Sequence, residues 1–492
     1  MRSTQRERDV KYDAAADFGV PDLADVVPPG GRVDEDTVTL HSDYFDTADR
    51  DLRAHHVSVR RRSGDIGAGW RLRVPGHKAH TDIRVPPTTG DAVPDELATL
   101  VSGVALGKPV HPVATIATAR RRHRILDADG NLLAEIADDT VRSTAAGACA
   151  GDAAIAGYWR EVGVELGAAG DRALLRTIAT RLTRAGARPS RHSSKLSRAL
   201  APHGPGTGDS GTSGVDPVRE TLTAYLDTQA QEIIAGDVQL RRGLDPIHPT
   251  RVGIRRFRST LRVFQNLLDP DAGARLDEEL SWYAGVLGEI RDREVQRARF
   301  VAAVTDLSDE LVLGPVAARI ESDLLAEQLR YRAEAMTTLD TNRYRAILAD
   351  LARWRTAPPL TDDAHSGATV LKKAARKAGR KADKRLAAAL DDGDDEGLHR
   401  ARKAAKRARY AAELTRGIAG KKKGKKKVAE YKKIQQVLGD HQDSVVALGT
   451  LRALGARAGT TEGENGFTFG LLYGLELQAA QRAREDAAQL AG

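Results

Sequence analysis

Near the N-terminus, the segment RERDVKY spaces Glu7, Asp9 and Lys11 two residues apart. On a strand, alternate residues share a face and sit about 7 Å apart, so two carboxylates and an ammonium would project together. Such carboxylates can share a hard divalent cation such as Mg²⁺, with the lysine beside them meeting an oxyanion. Arg60, Arg62, Arg73, Arg122, Arg124 and Lys195 add cations in the same half of the chain. Together these groups are equipped to hold a chain of phosphates and to help water attack it. Any single pair reads equally well as a surface ion pair worth under about 1 kcal/mol; the collection carries the argument.

The second half arranges charge differently. His248, Arg251, Arg255, Arg258 and Arg262 fall at 0, +3, +7, +10 and +14, along one face of an α-helix. His399, Arg402, Lys406 and Arg409 repeat the first four of these spacings. Like charges stacked this way repel by about 0.2–0.5 kcal/mol per pair, so such a stripe calls for an anion. Arg256, Arg400, Lys403 and Arg407 flank the stripes, and LKKAARKAGRKADKR adds Lys372, Lys373, Arg376, Lys377 and Arg380. The plain alternative is a solvated face, and for KKKGKKK the two readings are evenly matched. For the His-led stripes, repetition argues against it. Neither histidine has a second His or a carboxylate at +3 or +4, so phosphate contact or helix-end hydrogen bonding suits them better than metal ligation.

Strands must position the first set. TVTLHSDYF, VSVRRR, WRLRV, TDIRV, ARRRHRIL, NLLAEIADDTV and WREVGVEL are short runs, many alternating with period two. Arg60 and Arg62, Arg71 and Arg73, and Glu161 and Glu165 each share a face, while Val10, Val59, Leu72, Val162 and Val164 take the opposite one. One such strand has a solvated polar face. Several with dense mixed charge favour a closed antiparallel barrel, charges inward and aliphatic residues outward against helices.

Helices must position the second set, which lies in sequence rich in Ala, Leu, Arg, Glu and Lys. Leu287-Gly288-x-x-x-Asp292 returns as Leu438-Gly439-x-x-x-Asp443, at the same offset of 151 residues that separates His248 from His399. The pattern predicts a duplicated unit of about four helices per copy. Asp292 and Asp443 are expected to pair with the stripe arginines. Between the halves, the Gly/Ser/Pro-rich segment 201–217 reads as a flexible linker dividing residues 1–200 from 218–492.

The composition agrees. The 492 residues are 41% hydrophobic and 29% charged, which is a globular balance, and 4% aromatics leave the cores to aliphatic residues and Ala. Lys and Arg outnumber Asp and Glu by 76 to 68, an excess that matters only where it is concentrated. The single cysteine, Cys149, excludes an internal disulfide framework and a multi-Cys metal site. No run of 18 apolar residues occurs, and MRSTQRERDV lacks the apolar core of a signal peptide, so no membrane partner and a cytoplasmic location are expected.

Residues 3–200 resemble the CYTH domains, or triphosphate tunnel metalloenzymes. RERDVKY looks like their opening E-x-E-x-K, and DYFDT, VRRRSG, WRLRVP, LLAEIADDTV, WREVGVEL and SSKL follow in the family's order. The resemblance implies an α+β domain with an eight-stranded antiparallel β tunnel that binds triphosphate-type substrates with Mg²⁺ or Mn²⁺. By motif, Glu7, Asp9, Asp138 and Glu161 become metal-side carboxylates, with Glu165 a substitute. Lys11, Arg60, Arg62, Arg73, Arg122 and Lys195 become phosphate holders. This chain departs from the pattern at Asp9, Arg73 and His80-Thr81-Asp82, and most of all at Gly163, where the middle carboxylate of a late E-x-E-x-E is missing. That loss is expected to weaken metal binding and turnover while sparing phosphate binding.

Residues 216–492 resemble CHAD, the conserved-histidine α-helical domain. HPTRVGIRRFRSTLRVF and LHRARKAAKRARYAAEL look like its paired signatures, and LGEIRD and LGDHQD like its accompanying LG-x-x-x-D motifs. This resemblance implies two pseudo-symmetric four-helix bundles with a basic groove for inorganic polyphosphate. The expectation is a polyphosphate-binding protein associated with polyphosphate granules, whose tunnel holds and hydrolyses triphosphate. An active triphosphatase that recruits substrate through its helices, and a non-catalytic granule scaffold, stand as rivals. Nucleic acid fits poorly, because the only interleaved aromatics, Phe257 and Tyr410, look like core positions.

Overall fold

The computed structural model describes residues 9–64, 67–76, 80–145, 155–192, 194–201 and 216–491, so Glu7 and Cys149 lie outside the described residues. The chain divides into two compact units, 1–211 and 212–492. Most of the expected linker falls outside the described residues; at its far end Asp216 caps a helix that Pro217 opens.

The first unit is one antiparallel sheet. In chain order its strands are β1 (Asp9–Ala14), β2 (Arg32–Asp46), β3 (Ser58–Ser63), β4 (Gly69–Val74), β5 (Thr81–Val85), β6 (His111–Leu126), β7 (Leu132–Ala145), β8 (Ile155–Leu166) and β9 (Arg188–Pro189). Their order across the sheet is β5-β4-β3-β2-β6-β7-β8-β1-β9. Eight strands of five residues or more match the expected count, and the two-residue β9 extends the sheet beyond β1. The sheet is strongly curled. Six strand spacings separate β4 from β1, about 29 Å if flat, yet the Asp9 carboxylate on β1 acts electrostatically on the Arg73 guanidinium on β4.

Alternation decides which side chains line the concave face. Val162 and Val164 are buried on the outer side, with Ile136 and Ala134, against Leu175, Ile178 and Leu182. These last three belong to α3 (Arg172–Arg184), which follows the short helices α1 (Asp51–Ala54) and α2 (Asp95–Val101). A second cluster, with Ile116, Val141 and Trp159, has the strand parity of the inward residues Arg122, Asp139 and Glu161 and is covered by Ala199 of α4 (Lys195–Ala199). A capping box at Ser194 fixes the start of α4, and so places Lys195.

The second unit is helical: α5 (Pro217–Arg241), α6 (Ile247–Val263), α7 (Pro270–Thr305), α8 (Val316–Leu339), α9 (Asn342–Thr356), α10 (Thr369–Asp392), α11 (Asp395–Leu414), α12 (Arg416–Ala419), α13 (Lys421–Ala458) and α14 (Phe467–Ala491). Shifting α5 to α8 by 151 residues gives 368–392, 398–414, 421–456 and 467–490, which fall on α10, α11, α13 and α14. The duplication read from two motifs therefore extends over four helices per copy, and α9 has no counterpart. The cores differ in kind. Phe257, Tyr283, Tyr344 and Trp354 fill the first, whereas Ala382, Ala401, Ala404, Ala405 and Ala408 let helices approach closely in the second. A shared cluster with Phe300, Ile320, Leu451 and Phe469 joins the copies. Among the described residues no helix is long and apolar enough to cross a membrane.

Candidate anion-binding sites

Each unit gathers cations, and register shows how. In the sheet, Asp9, Lys11 and Asp13 of β1 pair across to Glu165, Gly163 and Glu161 of β8. Those three pair to Glu135, Ala137 and Asp139 of β7, which oppose Arg124, Arg122 and Arg120 of β6. Directly paired residues share a face, so all of these line the concave side, as do Asp36, Arg60, Arg62, Arg71, Arg73, Asp82 and Arg84 farther along.

Most of these cations already hold an acid. Lys195 Nζ donates to Asp139 at 2.7 Å and to Glu161 at 2.6 Å. Arg120 makes two bonds to Asp139, at 2.7 and 2.8 Å. Arg122 does the same to Asp36, with Arg124 adding a third contact at 3.2 Å. Burial pushes the Asp82 carboxyl up, but Arg73 and Arg71 outweigh it and hold it well below the usual range. A cavity of about 350 Å³ remains, lined by Arg60, Arg62, Arg71 and Arg84. Arg62 is pushed down to about 10 by burial and then by Arg60, and its Nε has no hydrogen-bond partner among the described residues. Such a cavity suits an anion.

The expected metal carboxylates do not all meet. Asp138 lies on the outer face in a two-point ion pair with Arg160, at 2.8 and 2.6 Å, which corrects its reading as a metal ligand. The inward residue is Asp139, because one position along a strand turns a side chain to the other face. Glu161 faces inward but is held by Lys195 and by Trp159 Nε1 at 2.8 Å. Asp9 and Glu165 stand in one rung with Glu135. Like charges directly opposed are unfavourable unless neutralised, and oxygen donors are what Mg²⁺ or Mn²⁺ takes. The donor type fits such a cation. Among the described residues, though, no three His, Cys, Asp or Glu side chains converge as a metal site.

In the helical unit, α6 and α11 lie side by side and bring the two stripes together. Arg251 donates to the Leu287 carbonyl and to Asp292, each at 3.3 Å. Arg402 repeats this in the second copy, 3.5 Å from Asp443. The glycines of the LG-x-x-x-D motifs now have a reason. A Cβ on Gly288 would stand 3.3 Å from Arg251 Nη1, and one on Gly439 3.3 Å from Arg402 Nη2. Each motif thus supplies room for a guanidinium and a carboxylate to hold it.

Between these clamps sit Arg255 and Lys406, with no ion pair among the described residues. Arg255 Nε and Arg402 Nε are buried without hydrogen-bond partners among the described residues. Lys406 is pushed down to about 7 by burial, then by Arg402, Arg255 and Arg251, with Asp443 partly offsetting them. Arg402 in turn feels Arg255, Asp443 and Asp292, so cations of both copies share one field. His248 is lowered by burial, then by Arg291, Arg255 and Arg251, and His399 by burial and Lys403. Both rings therefore border the cluster.

Other stripe residues are committed elsewhere. Arg258 and Arg262 both bind Asp277, at 2.9 and 2.6 Å. Arg256 and Arg409 share Glu413, at 3.1 and 3.0 Å, and flank the Tyr410 ring. Arg407 is lowered by burial and by Arg262 and Arg385. Lys373, Arg376, Lys377 and Arg380 are exposed along α10, Lys372 is half-buried, and Lys403 is exposed. Phe257 and Tyr410 are buried core residues. Sequence reasoning passed over Glu135, Arg84, Asp36, Asp277 and Glu413. Glu135 had a signal, since it shares strand parity with the inward Asp139; Asp277 and Glu413 had none, because only packing brings them to the arginines.

Two family models match the chain: one described as "CYTH domain" over residues 31–162 and one described as "CHAD domain" over 224–452. Two curated proteins of Mycobacterium tuberculosis, "Uncharacterized protein MT2285" (strain CDC 1551 / Oshkosh) and "Uncharacterized protein Rv2226" (strain ATCC 25618 / H37Rv), are each 37% identical over 472 residues, covering 91% of this chain and 88% of the relative. Among solved structures, "PptA from Streptomyces chartreusis" is 23% identical with a TM-score of 0.48, covering 55% of this chain and 98% of that one. The CHAD domain from the plant Ricinus communis is 24% identical with a TM-score of 0.43, covering 55% and 91%.

Proposed function

This chain belongs to the family that joins a CYTH domain to a CHAD domain, and from that premise we propose that it binds inorganic polyphosphate along its helices and triphosphate-type substrates in its tunnel. One observation carries the reading. Arg251, Arg255, Arg402 and Lys406 from both helical copies share one partly buried field, opposed chiefly by Asp443, Asp440 and Asp292. Clustered, desolvated cations without counter-ions repel one another, and a flexible polyanion relieves the repulsion through charge-assisted hydrogen bonds. His248 and His399 border that cluster and contribute hydrogen bonds to phosphate oxygens. The exposed cations of α10 extend the track, and counterion release makes the grip steeply salt-dependent. Association with polyphosphate granules in the cytoplasm follows from this binding. Nucleic acid is disfavoured because Phe257 and Tyr410, the aromatics interleaved with the stripes, are buried in the core rather than presented to stack a base.

In the tunnel, Arg60, Arg62, Arg71 and Arg84 receive phosphate oxygens in the cavity they line. Lys11 reaches a phosphoryl group from β1, and Arg73, Arg122, Arg124 and Lys195 exchange their carboxylate partners for phosphate. Asp9, Glu165 and Glu135, with Glu7, would hold Mg²⁺ or Mn²⁺, which supplies charge neutralisation and a more acidic water. Glu7 and Asp9 orient the water for attack on a phosphoanhydride. Gly163 leaves open space beside Lys11 where a carboxylate would stand, which favours holding over fast turnover. Phosphate release from triphosphate, thiamine triphosphate, ATP and long polyphosphate, with Mg²⁺ or Mn²⁺, tests the tunnel. Polyphosphate affinity of the full chain, with Arg251→Ala and Arg255→Ala, tests the cleft; unchanged affinity in both removes the reading.

A further inference from the structure

We propose that Lys406 makes the helical cleft's grip proton-linked, so that the cleft takes up a proton at this amine when polyphosphate enters. The inference rests on the preceding reading of that cleft. Lys406 lies 151 residues after Arg255, so the two copies place an arginine and a lysine at equivalent positions. A guanidinium stays charged in proteins, whereas a buried ammonium readily gives up its proton. The duplication therefore leaves this pair with one permanent and one titratable cation.

The groups that face Lys406 come from three helices: Arg402 on its own helix, Arg255 and Arg251 on α6, and Asp443 on α13. His399, one turn before Arg402, also feels it. Three cations against one carboxylate, in a partly buried place, leave the amine little reason to stay charged. Burial, followed by those cations, pushes it down to about 7. An arriving chain of phosphates reverses the local field and favours the charged form. Above about pH 7 the empty cleft then holds mostly neutral amine and the filled cleft mostly ammonium, so binding consumes a proton and affinity falls as pH rises.

For the empty protein the same amine should contribute the opposite trend. The folded value lies below the ordinary lysine value of about 10.4, so between the two the unfolded chain binds more protons and stability rises with pH. A fall in affinity alongside a rise in intrinsic stability is a signature that general loss of positive charge does not reproduce.

The test is calorimetry of the full chain with long-chain inorganic polyphosphate, whose terminal phosphates are few, at fixed ionic strength from pH 6.5 to 8.5 in two buffers of different ionisation enthalpy. We expect affinity to fall by roughly tenfold or more across this range, with uptake approaching one proton near pH 8. Lys406→Arg, which retains both histidines, should lose most of the pH dependence between pH 7.5 and 8.5 and most of the uptake near pH 8, leaving only the histidines' contribution nearer pH 6.5. Wild-type binding that is independent of pH and releases or takes up no proton overturns the proposal while leaving the polyphosphate reading intact. So does a Lys406→Arg protein whose pH dependence matches the wild type. No binding by the folded chain even at pH 6.5 overturns both.

Discussion

On the concave face of the sheet, Arg73, Arg120, Arg122, Arg124 and Lys195 each hold an acid of their own unit. Between α6 and α11, Arg255 and Lys406 hold none among the described residues, and Arg251 and Arg402 reach theirs only at 3.3 and 3.5 Å. The contrast teaches what each region does without its ligand. The tunnel neutralises itself internally, so under the proposed function a substrate would exchange partners with carboxylates, and a metal held by those carboxylates would free the cations. The cleft keeps its cations clustered, partly buried and loosely paired, so under the same reading a polyanion would meet them with fewer partners to displace. Under the proposed function, one region would bind by metal-assisted exchange of partners and the other by direct, proton-linked capture.

The largest effect should come from removing both clamped arginines. Arg251→Ala combined with Arg402→Ala is expected to weaken long-chain polyphosphate binding by about a hundredfold or more, at about 1.5–3 kcal/mol for each charge-assisted bond. Titration of the full chain measures it, and a loss confined to triphosphate binding would reverse the comparison. Next is the buried tunnel acid Asp139. Burial raises its pKa, but Arg120 and Lys195 outweigh that and hold it low, so its contribution is present above the ordinary Asp range and is lost as pH falls through the lowered value. Asp139→Ala strands Arg120 and leaves Lys195 with Glu161 alone, and should destabilise the β unit by about 3 kcal/mol, read as an earlier unfolding transition with polyphosphate affinity unchanged.

Two glycines sharpen the contrast with smaller effects. Gly288→Ala presses a methyl against Arg251 at 3.3 Å and should cost about 1 kcal/mol of polyphosphate affinity through displacement of the guanidinium. Gly163 has nothing within 4 Å of a Cβ, so Gly163→Glu should leave the unfolding temperature within a degree or two and tighten Mn²⁺ binding. A divalent titration of this variant beside the parent shows whether the missing carboxylate limits the tunnel.

Legibility followed the period of each element. The helical stripes were readable because spacings of three and four residues fix a face regardless of partner, and the 151-residue offset exposed the duplication that the helices then followed. The strand faces were readable wherever aliphatic residues marked the outside. At Asp138 the same rule was available, since Ile136 and Ala134 share its parity and are buried outside, yet a motif match pointed to the wrong neighbour. Nothing local showed that Asp277 would bind Arg258 and Arg262, or that Glu413 would take Arg256 and Arg409.

Residue order by itself settled the two units, the curled sheet against the duplicated helices, and which residues could share a face, because periodicity is a property of the backbone. Folding in three dimensions decided which charges are spent and which are free. Whether a cation is neutralised depends on acids brought in by distant segments and on how much water each site keeps, and neither quantity is written in local spacing.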